Sequence, residues 1–108
     1  MIIFNKLVRD KIPEIIRKDN KECKIEILND KIYEEELKKK LVEEVEEYQS
    51  ASSDEEALEE LADILELIHS LSRTHGANID KVEEIRRDKA NERGGFNEKV
   101  FLVGVYKQ

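Results

Sequence analysis

A mainly α-helical domain, a bundle built around two long antiparallel helices, is the fold this sequence predicts, and three observations predict it. Two uninterrupted stretches, about 31–50 and 55–75, carry apolar residues at helical spacing. Only the short segment 51–54 separates them, so the two helices must run back against each other. The 1 proline and 4 glycines fall outside both stretches, where they end or start elements rather than break them.

In chain order, residues 2–8 form a short extended or irregular lead. Pro13 suits the first turn of a helix, with Asp10 as its candidate cap, and the helix runs through Ile15 and Ile16 to Asp19. Cys23, Ile25 and Ile27 then alternate with Lys24 and Glu26, a period-two strand signal. Asn29-Asp30 turns the chain and caps the first long helix, from Lys31 to Ser50. Ser52, Ser53 and Asp54 interrupt the pattern, with Asp54 capping the second, from Glu55 to His75, and Gly76 supplying a left-handed stop. Asn78 caps a last helix bearing Ile79, Val82 and Ile85 and ending at Gly94-Gly95. The valine-rich tail KVFLVGVY reads as a strand. The expected accessory β element therefore joins strands near 23–28 and 99–106.

Composition bounds the function. At 108 residues, with no repeat or linker, the chain reads as a single domain, 1–108. Charged residues make up 42% and apolar ones 39%, with no tryptophan, so a homodimer or higher homo-oligomer is expected to help bury apolar faces. A net charge of −7 argues against a nucleic-acid polymer as partner, while leaving room for a small phosphate ligand held through cations. Cys23 is the sole cysteine, so the fold needs no intramolecular disulfide. No apolar run reaches membrane-spanning length, and MIIFNKLVRDK has too short an apolar part for a signal peptide; a cytoplasmic address is expected.

The chemistry lies in the acidic residues of the two long helices. With Leu41 as zero, Leu37, Val45 and Tyr48 fall within about 40° and define the apolar stripe. Glu44 lies about 60° from that stripe and Glu47 about 120°, on one shoulder, while Glu43 and Glu46 point away at roughly 140° to 160°. On the second long helix Leu58, Leu61, Ile64, Leu65 and Ile68 make the apolar face; Glu60 sits about 100° from Leu61 and Asp63 about 160°, on the same side. Antiparallel packing brings these two i, i+3 pairs toward each other. Carboxylates gathered without basic partners suit Mg²⁺, which takes oxygen ligands and bridges them to phosphates. The plainer alternative is a solvated helix face: among 26 acidic residues such pairs arise by chance, as in Glu56-Glu59 and Asp63-Glu66.

KLVEEVEEY followed by EELADIL resembles the EExxE…ExxD signature of the MazG-like and phosphoribosyl-ATP pyrophosphohydrolase-like enzymes. These form the all-α nucleoside-triphosphate pyrophosphohydrolase superfamily, to which dimeric dUTPases also belong. FNKLVRDKIPEII and KANERGGFNEKVFL resemble the flanks of one small single-domain branch, so the likeness spans most of the chain. The resemblance implies that Glu44, Glu47, Glu60 and Asp63 bind Mg²⁺; Glu43 completes the motif, but the wheel points it away from the shared face, which gives it a supporting or structural role. It further implies cleavage between the α- and β-phosphates of a nucleotide, giving a monophosphate and pyrophosphate, with Glu47 as the general base for water. It implies assembly as dimers or higher oligomers as well. The N-terminal lead departs from the phosphoribosyl-ATP enzyme of histidine synthesis, and the short loop between the long helices leaves little room for the inserted helices of larger relatives.

Phosphate also needs cations. Lys40 shares the Glu44 shoulder, at about 100° on the wheel, and either binds substrate or forms an i, i+4 ion pair with Glu44. Arg86, Lys89 and Arg93 recur along the last helix; Lys89 and Arg93 are the phosphate candidates, with a helix C-terminal cation set as the alternative. Lys6, Arg9 and Lys11 either close over a nucleotide or belong to a solvated lead. Glu66 and His69 make an ExxH pattern, but di-iron bundles need a second, which is missing. Tyr48, Phe96 and Tyr106 are offered to stacking on a base or, more simply, to packing. The competing function is a non-enzymatic acidic helical dimer that binds a protein partner.

Overall fold

The computed structural model describes residues 1–107 and contains four helices: α1 (Ile12–Lys18), α2 (Asp30–Gln49), α3 (Asp54–Thr74) and α4 (Ile79–Arg93). Pro13 sits in the first turn of α1, where its missing N–H costs nothing. Asp10 does not cap that helix; Lys11 holds the position without a side-chain bond. Asn29 caps α2, its side-chain oxygen accepting from the Ile32 N–H at 2.9 Å. At α3 the cap is Ser53 rather than the expected Asp54: its Oγ accepts from the Glu56 N–H at 3.1 Å. Glu56 answers by accepting from the Ser52 N–H at 3.0 Å and the Ser52 hydroxyl at 2.9 Å, which holds its carboxyl below the usual range. Gly76 ends α3 with φ of 72°, a left-handed geometry that suits glycine. Asn78 caps α4 through the Lys81 N–H at 3.3 Å.

α2 and α3 form the antiparallel hairpin, α4 packs on α3 but not on α2, and α1 packs on none of them. Leu37, 2% exposed, is the one hydrophobic residue fully buried among those described, and Leu41, Ile64 and Ile68 are half-buried. The apolar stripes were expected to be covered along their length. Instead Val45, Tyr48, Leu58, Leu61 and Leu65 stay exposed, because a two-helix contact covers only one flank of each stripe. The shape is correspondingly drawn out: the radius of gyration is 18.7 Å, against about 13 Å for a compact chain of this length.

The expected β element is absent among the described residues. Neither 23–28 nor 99–106 forms a strand. Alternation prepares a segment for a sheet, but a strand exists only when a second one takes up its N–H and C=O groups. Ile27 is 90% exposed and Val103 93%, so neither segment is packed under a covering layer. A turn bonded from the Lys99 N–H to the Phe96 carbonyl at 3.3 Å, with Lys99 at φ of 60°, redirects the chain just before the tail. Among the described residues, no helix is long and apolar enough to cross a membrane.

Candidate functional site

The caps of α2 and α3 fix where each helix starts, and so fix which side chains meet across the hairpin. Glu44 lies two turns after Leu37 and therefore continues the buried stripe. It is 8% exposed, more deeply set than a shoulder position measured from Leu41 suggested. Glu47 follows one turn later at the rim, exposed, and Glu60 comes across from α3, half-buried. One carboxylate oxygen from each of Glu44, Glu47 and Glu60 lies within 4.8 Å of the other two. Glu43 and Glu46 point to solvent, as their positions on the wheel require.

The electrostatics of this trio are unfavourable as they stand. Glu44 Oε2 and Glu60 Oε2 are buried and have no hydrogen-bond partner. Burial pushes the Glu44 carboxyl up to about 7, helped by the nearby Glu60 carboxyl and by the negative charges of Glu47 and Asp63. Near neutral pH a proton therefore competes with any cation for Glu44. Lys40, with most of its side chain covered, brings Nζ to 3.9 Å from Glu44 Oε1, the i, i+4 pairing weighed above. A single cation at that distance offsets part of the charge and leaves both Oε2 atoms unmatched.

Asp63 stands beside the close trio. Its Oδ1 accepts from Arg9 Nη2 at 2.7 Å, an ion pair that ties the N-terminal lead to α3. Sequence reasoning grouped Arg9 with Lys6 and Lys11 as a general basic lead and missed this pairing. Nothing in residue spacing could select it, since the partners are 54 positions apart. Lys6 lies instead over the Phe4 ring, 5.6 Å from its centroid.

Other expected residues are not drawn in. Lys89 and Arg93 are exposed on α4, a helix that packs on α3 only, and no ion pair among the described residues links either to the acidic trio. Arg86 pairs within its own helix, its Nε 2.8 Å from Glu83 Oε2. His69 is half-buried, and its carbonyl accepts a hydrogen bond from the hydroxyl of Ser72 at 2.7 Å. The packing role expected for Phe96 and Tyr106 is not realised: both are 98% exposed.

Chemically, the arrangement is a set of hard oxygen donors, partly dehydrated and short of counter-charge, open toward solvent on the Glu47 side. Compared with protein-family models, curated proteins and solved structures, the chain matches none.

Proposed function

We propose that the chain is a Mg²⁺-dependent nucleotide pyrophosphohydrolase that cleaves the α–β phosphate linkage of a nucleoside triphosphate or related nucleotide. The observation that carries this reading is the pair of buried, unpartnered oxygens on Glu44 and Glu60, within reach of Glu47. Burying carboxylate without a partner costs several kcal/mol unless a proton or a cation relieves it. A divalent cation satisfies both oxygens at once, and the donor set, all carboxylate, suits Mg²⁺. The order of the acidic pairs and the two flanking segments, similar to the MazG-like enzymes, supplies the reaction type.

In this reading Glu44 and Glu60 anchor Mg²⁺, with Glu47 and Asp63 completing the set. The bound ion supplies charge neutralisation for the phosphate chain and acidifies water. Glu47, exposed at the rim, takes the proton from the attacking water, and pyrophosphate leaves from the α-phosphorus. Lys40, already on the same shoulder, offers its ammonium to phosphate oxygens. Lys89 and Arg93 contribute only if α4 of a second copy brings them to the site, which accords with a homo-oligomer.

The alternative, an acidic helical dimer that binds a protein partner, draws on the exposed apolar side chains of α3 and of both chain ends. One experiment separates the two. Pyrophosphate release is measured over a panel of standard and modified nucleotides, with Mg²⁺ and with EDTA, for the natural chain, Glu44→Gln and Asp63→Asn. Turnover that needs metal and disappears in both variants supports the enzyme. No turnover, together with no Mg²⁺-dependent thermal shift, leaves the binding module.

A further inference from the structure

We infer that Arg9 is an exchangeable counter-ion of this site: it neutralises Asp63 in the cation-free protein and is released to bind substrate phosphate when the carboxylates take up a divalent cation. The inference rests on the reading of the acidic cluster as a cation site and adds to it a substrate-binding residue and the event that frees it.

The Arg9–Asp63 bond is the one side-chain hydrogen bond, among the described residues, that joins the segment before α2 to the helices. α1 packs against no other helix, so this bond is the polar tie between the lead and α3. The pair is exposed, with side chains 58% and 39% accessible, and exposed ion pairs are weak enough to be exchanged at little cost. Only Nη2 is engaged, which leaves the rest of the guanidinium fork facing solvent and ready for phosphate oxygens. Asp63 also belongs to the field acting on Glu44, so Arg9 and an incoming cation answer the same excess of negative charge. Once that charge is matched, Arg9 loses its reason to stay on Asp63, and the nearest new anion is the phosphate chain beside the cation.

The test uses the full chain as natural sequence, Arg9→Gln and Arg9→Lys, and reads binding by calorimetry. Mg²⁺ is titrated alone, and inorganic pyrophosphate is then titrated at saturating Mg²⁺. Removing a surface counter-ion should make Arg9→Gln bind Mg²⁺ about two- to fivefold more tightly. Losing a charged fork should make it bind pyrophosphate about tenfold more weakly. Arg9→Lys keeps the charge and loses the fork, so its Mg²⁺ affinity should stay near the natural value while pyrophosphate binding still falls. If the natural chain binds Mg²⁺ and Arg9→Gln binds it no more tightly, or binds pyrophosphate equally well, the role of Arg9 is overturned and the cation site stands. If none of the three binds Mg²⁺, both readings fall together.

Discussion

Glu44 on α2 and Glu60 on α3 each bury one carboxylate oxygen against the other helix, and neither oxygen has a hydrogen-bond partner. In a chain whose only fully buried hydrophobic residue among those described is Leu37, two such atoms at the main helix contact are a large electrostatic cost. Proteins that keep such a cost at a packed interface generally recover it by binding something.

Replacing Glu44 by Gln should therefore stabilise the metal-free protein. The amide can donate to Glu60 without carrying charge, and a gain of about 1–2 kcal/mol raises the melting temperature by several degrees. The same variant should lose the stabilisation that Mg²⁺ confers on the natural chain. Thermal unfolding of both proteins, with and without Mg²⁺, checks this. A variant that melts lower in EDTA would show that the natural carboxylate is satisfied in some other way.

The pH dependence follows from the same residue. Glu44 has its carboxyl raised from 4.5 to about 7 in the folded protein, so folding favours the protonated form. That contribution is fully present below pH 4.5 and is lost as the pH rises through about 7, where the folded protein must surrender the proton. Unfolding free energies from denaturant titrations in EDTA should fall between pH 5 and pH 8, by an amount on the order of 1–3 kcal/mol, and Glu44→Gln should flatten that slope. Mg²⁺ affinity should run the opposite way, strengthening as Glu44 loses its proton. A midpoint that rises between pH 5 and pH 8 in the natural chain and not in the variant would contradict the assigned direction.

Local signals in the sequence were legible because their causes are local. Asn29, Asn78 and Gly76 act where their chemistry demands. Ser53 and Asp54 are both good caps one residue apart, and the extended backbone at Ser53 decides between them. The burial of Glu44 was readable too, from its two-turn spacing after Leu37, had the stripe been centred there. Alternation at Cys23, Ile25 and Ile27 spoke for strand preference but held no information about a partner. The Arg9–Asp63 pair belongs to the same class, since it exists only through the path of the whole lead.

Leu37 tests how much of the fold rests on the hairpin. It is the best covered apolar side chain, on the α2 face turned to α3. Leu37→Ala should cost about 2–4 kcal/mol through lost burial and the cavity left behind. With so little other core, that loss should broaden or abolish the cooperative thermal transition and remove the Mg²⁺ response with it. A cooperative transition within about 1 kcal/mol of the natural one would mean that the stabilising contacts lie elsewhere.

Those contacts are expected between copies of the chain. Leu58, Leu61 and Leu65 line one face of α3 at i, i+3 and i+7 spacing and remain exposed, as do Phe101 and Val103 in the tail. With one fully buried hydrophobic residue among those described and this much exposed apolar surface, a monomer has little burial to set against its conformational entropy. The chain should therefore sediment as a homodimer or larger species. Leu61→Glu combined with Leu65→Glu places two charges on that face and should shift the population toward monomer, with a lower melting temperature that varies with protein concentration. If the tail after Phe96 alone held the assembly, this double variant would stay dimeric and truncation after Phe96 would be the disrupting change. A natural chain that sediments as a monomer at micromolar concentration, and melts cooperatively there, would exclude assembly as the source of its stability.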